Sequence, residues 1–240
     1  MKLTLICLHT TRHSDTRSIL TAFSRECGIV ALGIPAGSGR EAARLRALTM
    51  PLAMITCETS APRPGSDILS MKQPAPHRLT IELHSHPVKQ MTAMFIAETA
   101  GQMLRYGGDD KVLFDFIEAT ALRLDAATER ALNNFPLCFL AHLTEVIGIE
   151  PDSSTYKKGR LFDLRDGLWR DTPPMHRDYL SPEESSAAAM LTRITFDNCD
   201  AFVFTLQERR RALDLMLHYF SIHSAPLGAL RSVGVLRSLV

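Results

Sequence analysis

The chain has 240 residues, 45% of them hydrophobic and 22% charged, with 27 Lys and Arg against 26 Asp and Glu for a formal net charge of +1. That is the composition of an ordinary globular protein, too apolar for wholesale disorder and long enough for one large domain or two small ones. No apolar run approaches the ~20 residues that span a bilayer, and the opening stretch Met1 to His9 carries one lysine and no small-residue cleavage site, so it reads as a first strand and not a signal peptide.

The first third is a series of short Leu, Ile and Val segments separated by Gly, Pro, Ser and Asp: Leu3–Leu8, Ser18–Phe23, Ile29–Gly33, Leu52–Thr56, Ile68–Met71 and Leu79–Leu83. Strands this short at this spacing predict a small closed barrel over residues 1–84, and not a βαβ array. After His86-Pro87 the apolar residues recur at helical spacing (Met91, Met94, Phe95, Ala97, Met103, Leu104), predicting a helix from Val88 to Tyr106. Gly107-Gly108 is expected to end it, and Asp109 or Asp110 to cap the next helix, Val112–Ala126. A third helix follows over Phe135–Ile147, closed by Gly148 and Pro151. Residues 152–179 are irregular, with Phe162, Leu164, Leu168 and Trp169 suggesting a small hairpin. Ser181-Pro182-Glu183-Glu184 is a helix start, with a serine cap, proline in the first turn and acids facing the N-terminal dipole. Gln207–His223 and Gly228–Leu239 complete a helical second domain over residues 85–240. The expected class is α+β: an N-terminal barrel followed by an all-α domain.

The five cysteines, Cys7, Cys27, Cys57, Cys138 and Cys199, are odd in number and widely spaced, with no CxxC pair. No zinc site is readable, and thiols in a reducing cytoplasm are expected. Charge is distributed unevenly. Residues 1–83 carry ten Lys and Arg and six acids, a net of +4, while the remainder is −3. A basic barrel on a mildly acidic helical domain points to an anionic partner at the N-terminal end.

Catalytic patterns are weak. His84-Ser85-His86 offers two metal ligands or a base beside a nucleophile, but it reads more simply as the linker leaving the barrel. His13-Ser14-Asp15 reads as a polar turn, since a triad is defined by geometry and not adjacency. Gly37-Ser38-Gly39-Arg40 lacks the spacing and the Lys-Ser/Thr of a phosphate-binding loop. No enzyme activity and no cofactor are expected. Binding has better support. Arg12 and Arg17 flank one turn, Arg25 follows the next strand, and Arg40, Arg44 and Arg46 lie in a loop or short helix, against only Asp15, Glu26 and Glu41. These six arginines are the candidate nucleic-acid contacts. Phe23 is the single aromatic of residues 1–83 and sits in an apolar strand, so the barrel lacks the stacking platforms of a single-strand binder. Binding would rest on phosphates, independent of sequence and sensitive to salt. In the second domain Lys157, Lys158 and Arg160 form one basic cluster, and Arg209, Arg210 and Arg211 another.

The order of motifs resembles the RecO family of recombination mediators, in the zinc-free, Bacteroidetes-type form. The resemblance rests on the turn His13-Ser14-Asp15-Thr16 with the strand Ile19 to Gly28, on Met50-Pro51-Leu52, and on Met94-Phe95-Ile96-Ala97-Glu98. It continues in Leu113-Phe114-Asp115-Phe116-Ile117-Glu118, in Asn134-Phe135-Pro136-Leu137-Cys138-Phe139-Leu140-Ala141-His142-Leu143 with Gly148 and Pro151, in Phe162-Asp163-Leu164-Arg165-Asp166-Gly167 and in Leu180-Ser181-Pro182-Glu183-Glu184. The resemblance implies an OB-fold, then a helical domain. It implies binding of single- and double-stranded DNA, strand annealing, pairing with RecR, engagement of the C-terminal tail of single-stranded DNA-binding protein, and help in loading RecA. Zinc-bearing members carry cysteine pairs in the segment matching Asp152–Tyr179; this chain has none there, so no metal is expected. Of the six arginines only Arg25 falls inside a matched motif. The basic, apolar surroundings sought for an acidic tail peptide point to Lys157, Lys158 and Arg160. The competing reading is an interaction scaffold of the same pathway without DNA binding.

Overall fold

The computed structural model describes residues 1–60, 67–105 and 111–239. Tyr106, Gly107-Gly108 and the two candidate caps Asp109 and Asp110 lie outside the described residues, as does Arg63. By packing, the chain divides into two compact units, Met1–Ala126 and Ala127–Val240.

The first unit opens with a closed five-stranded barrel: β1 (Lys2–Arg12), β2 (Arg17–Ser24), β3 (Gly28–Pro35), β4 (Met54–Ser60) and β5 (Ile68–Arg78), in the order β1-β2-β3-β5-β4, with β1 also paired to β4. Only β3 and β5 run parallel, joined over three residue pairs, Ala31 to Gly33 against Ile68 to Ser70. Helix α1 (Arg40–Leu48) connects β3 to β4. A five-stranded Greek-key barrel with this order is the OB topology. Alternation fills its interior: Leu3, Leu5 and Cys7 from β1, Leu20 and Ala22 from β2, Val30, Leu32 and Ile34 from β3, with Ile55 and Cys57 from β4.

β1 is buried on both faces, because Ile6 and Leu8 on its outer side are covered as well. The cover is helical: α3 (Pro87–Leu104) lies along β1, and a Cβ on its Gly101 would meet Leu8 Cδ1 at 3.7 Å. Phe23, on the outer face of β2, packs edge-on against Phe114 of α4 (Lys111–Ala126), with ring centroids 5.2 Å apart. The barrel's one aromatic is therefore a helix-packing residue, as its apolar strand suggested.

Two local expectations are corrected. Leu79–Leu83 is not a strand. β5 runs on to Arg78, which pairs with Met54 at the start of β4, so no partner strand remains. Leu79 and Ile81 are each 69% exposed, and Ile81–Ser85 forms the short helix α2, tied down where Leu83 N–H donates to Asp125 Oδ1 at 2.7 Å. Leu52 also lies outside its strand. It is buried with a left-handed backbone (φ 60°), its N–H on Cys7 O at 2.8 Å, and β4 begins two residues later.

The second unit holds α5 (Glu129–Leu132), α6 (Phe135–Val146), α7 (Pro182–Leu191), α8 (Leu206–His223) and α9 (Arg231–Leu239). The expected hairpin is β6 (Leu161–Asp163) against β7 (Leu168–Arg170), and β8 (Tyr179–Leu180) adds a third strand in the order β7-β6-β8. Trp169, Phe162 and Leu164 pack there with Ala188, Ala189 and Tyr219. Ser181 caps α7 in a full capping box with Glu184. Thr205 and Glu208 form another at α8, which answers the dipole that Arg209 to Arg211 would oppose.

Candidate nucleic-acid interface

The β1–β2 turn is built by its own polar side chains. His13 N–H and Ser14 N–H both donate to Arg17 O, at 3.0 and 2.9 Å, and Thr16 N–H reaches Ser14 Oγ at 3.4 Å. Arg12 folds over the turn, with Nη2 on Asp15 Oδ1 at 2.9 Å, so that its charge is shared with an exposed carboxylate. Ala36 N–H donates to Thr16 O at 3.0 Å, which sets the β3–α1 loop beside the turn. Arg46, in the last turn of α1, reaches back to Gly37 O in that loop, Nη1 to O 2.6 Å. A carbonyl accepts this hydrogen bond without cancelling the guanidinium charge. Arg44 pairs with Glu41 on the exposed face of α1 at 3.1 Å, and its hydrogen bonds hold the Glu41 carboxyl below the usual range. Arg17 and Arg40 have no carboxylate within ion-pair distance among the described residues.

Five of the six predicted arginines thus gather where the β1–β2 turn, the β3–α1 loop and α1 meet. Three of them, Arg17, Arg40 and Arg46, have no ion-pair partner among the described residues. Arg25 is elsewhere. It sits past the far end of β2, eight residues from Arg17 and roughly 25 Å along the strand at ~3.3 Å per residue. Its guanidinium is held by Asp115 at 2.8 Å and Glu118 at 3.8 Å, above the ring of Phe114 at 5.4 Å. Glu118 also draws in His77 (3.4 Å) and Arg78 (3.8 Å), so this cluster binds α4 to the barrel.

Beside the arginine end lies an open concavity of about 690 Å³, where the three-residue β3–β5 pairing gives out. His13, Arg17, Ser18, Ser60 and Ser70 are among the residues that line it. These hydroxyls were not singled out from sequence. They are scattered over three strands, and only barrel closure brings them together.

The histidine motif is structural. His84 has Nδ1 2.9 Å from Thr80 O and 3.4 Å from Thr80 Oγ1, and Nε2 3.1 Å from Pro51 O, so each ring nitrogen faces a polar group. His86 caps α3, its Nδ1 accepting from Lys89 N–H at 3.4 Å. Among the described residues no three His, Cys, Asp or Glu side chains are grouped to hold a metal ion, and no helix is long and apolar enough to cross a membrane.

In the second unit Arg160 is locked bidentately on Asp171 (2.9 and 2.8 Å) and donates to Thr155 O at 2.8 Å, while Lys157 and Lys158 are exposed on the preceding turn. The apolar cavity of that unit lies between α6, α7, α8 and β6, and none of these three cations lines it.

Comparison with known proteins matches this architecture. Residues 84–231 fit the family model described as Recombination protein O C terminal. The chain is 32% identical over 238 residues to the DNA repair protein RecO of Porphyromonas gingivalis, covering 98% of this chain and 96% of that protein. It is 30% identical over 234 residues to that of Phocaeicola vulgatus and 26% identical over 235 residues to that of Bacteroides fragilis, with the same coverage. An OB barrel at the N-terminus, residues 84–231 that fit the C-terminal model and relatives aligned over 98% of the chain place this chain in the RecO family.

Proposed function

We propose that the chain serves DNA repair as a recombination mediator that holds DNA by its phosphates on the arginine end of the barrel, residues 1–84, and meets its protein partners through residues 85–240. The observation that carries this reading is the set Arg17, Arg40 and Arg46, three guanidinium groups without a carboxylate partner among the described residues, of which Arg17 lines a concavity together with Ser18, Ser60 and Ser70. The only Phe, Tyr or Trp of residues 1–83, Phe23, is engaged with α4, so the barrel offers bases no free platform of those three types. Single and double strands would therefore bind alike and without sequence preference. Arg12 and Arg44, already shared with Asp15 and Glu41, would contribute on exchanging those acids for phosphates. Arg25 contributes least to the proposed interface, since α4 already holds it. Annealing of complementary strands, work with RecR and with the tail of single-stranded DNA-binding protein, and delivery of RecA belong to the same reading, as does action in the cytoplasm without cofactor or metal.

The test is fluorescence anisotropy of labelled single-stranded DNA with the full chain at several salt concentrations. At ~0.7 per phosphate, three contacts give a log-log salt slope of about −2 and five give about −3.5. Replacing Arg17, Arg40 and Arg46 together by Ala should flatten the slope by about 2. An unchanged slope would place the DNA on another surface. Absence of binding even at low salt would favour the scaffold reading, for which neutralisation of Arg12 and Arg44 by their own neighbours is the supporting observation.

A further inference from the structure

We infer that the cavity between α6, α7, α8 and β6 is a docking site for a short partner segment that inserts one apolar side chain and sets a lysine or arginine beside it, against Glu145 and Glu150. The inference concerns the second unit alone and stands whether or not the barrel binds DNA.

Size decides the anchor. The cavity is about 140 Å³, close to the ~150 Å³ that accepts a benzene-sized group in an apolar interior. One leucine, methionine or phenylalanine side chain fills it, whereas a whole helix face does not fit. The walls are apolar: Phe162 from β6, Ala188 and Leu191 from α7, Leu215 and Met216 from α8. The Tyr219 hydroxyl on the wall is already engaged, donating to Ile149 O at 2.8 Å.

Charge decides what flanks the anchor. The lining contains two carboxylates, Glu145 and Glu150, and no lysine, arginine or histidine. Glu150 is exposed and has no cationic partner among the described residues. Glu145 has His142 alone, with Nδ1 to Oε2 at 3.3 Å. The negative field reaches the cavity wall, since burial and then Glu150 push the Tyr219 hydroxyl up to about 12. An apolar slot edged by two under-compensated carboxylates complements an apolar residue next to a cation and repels an acidic segment.

The experiment compares two fluorescein-labelled heptapeptides that share a central leucine, one flanked by lysines and the other by aspartates, titrated with the full chain at low salt. The lysine peptide should bind about ten-fold tighter, from two exposed carboxylates whose attraction turns to repulsion. Glu150→Gln, a surface change that leaves the fold intact, should weaken it about three-fold. Ala141→Phe, which fills the cavity from α6, should abolish binding of the lysine peptide, and exchanging the peptide's leucine for glycine should do the same. Three results would overturn the inference: equal or tighter binding of the aspartate peptide, no saturation by the lysine peptide at millimolar concentration, or an affinity indifferent to Glu150→Gln.

Discussion

Asp163 is buried at the end of β6, where it meets the β6–β7 turn and His176 of the segment before β8. Its side chain is 1% exposed. Oδ1 accepts N–H bonds from Arg165 (3.0 Å) and Asp166 (3.1 Å), closing the β6–β7 turn, and His176 Nε2 lies 3.4 Å away. Arg170 Nε approaches Oδ2 to 3.1 Å as an ion pair without hydrogen-bond alignment, and its outer nitrogen pairs with Asp166. Asp163→Ala leaves two N–H groups without an acceptor, at ~1 kcal/mol or more each, and the buried side of a guanidinium without its anion; a total near 3 kcal/mol is expected. Asp163→Asn retains an oxygen for the two N–H groups and loses the charge, for about 1 kcal/mol. Urea unfolding followed by Trp169 reads this directly, because it is the only tryptophan and packs on Phe162 with centroids 4.4 Å apart. With a slope of about 2 kcal/mol per molar urea, the midpoint should fall by ~1.5 M for Ala and ~0.5 M for Asn. A midpoint for Asp163→Ala within ~0.3 M of the parent, or equal losses for Ala and Asn, would show that the turn is not held by this carboxylate.

Arg25→Ala should reduce stability by about 1–2 kcal/mol, from one ion pair, one partly buried pair and a cation–π contact, while leaving the DNA salt slope unchanged; a slope lowered as in Arg17→Ala would return Arg25 to the interface. Asp15→Asn frees Arg12 and should raise DNA affinity up to about five-fold at low salt, since exposed pairs are worth up to ~1 kcal/mol, with the gain vanishing at high salt, measured by the same anisotropy titration. Gly167→Ala places a Cβ 2.8 Å from Tyr219 Oη at a φ of +67°; with ~1 kcal/mol for the left-handed backbone alone, a loss of 2 kcal/mol or more is expected in the Trp169 melt. The Tyr219 hydroxyl, raised from 10 to about 12, binds its proton more tightly in the folded state, so stability should fall as pH rises from 10 through 12, and Tyr219→Phe should flatten that part of the profile.

The barrel was legible from short alternating segments because period-two burial leaves its mark residue by residue: Leu3, Leu5 and Cys7 point inward as the pattern demands. The start at Ser181 was legible for the same local reason, since its capping box closes within four residues, whereas α5 was missed and the last helix begins at Arg231 and not at Gly228. Leu79–Leu83 misled because an apolar run specifies burial and not conformation. Its turn into a helix was settled by Asp125, over forty residues away, and by β5 having already used the length of β4. The extra length of α8 and its capping Thr205 were within reach of the sequence, since Thr205-Leu206-Gln207-Glu208 carries the capping pattern.

Sequence alone determined the composition of this protein's surfaces: six arginines near the N-terminus, one aromatic in the barrel, no paired cysteines and a chain of motifs that belongs to the RecO family. What only tertiary structure decided is which of those charges remain free. Arg17, Arg40 and Arg46 face carbonyls or solvent, Arg12 and Arg44 face neighbouring acids, and Arg25 is held by α4. The same holds in the second unit, where Arg160 is bound by Asp171 and the apolar cavity is edged by carboxylates. A charge can be counted along the chain, but its field depends on which opposite charge lies within a few ångströms, because Coulomb attraction at contact outweighs that across a screening length. Arg12–Asp15 and Arg44–Glu41 are local pairs, three residues apart, but the pairs of Arg25 with Asp115 and Glu118 join distant parts of the chain, and those the fold alone sets.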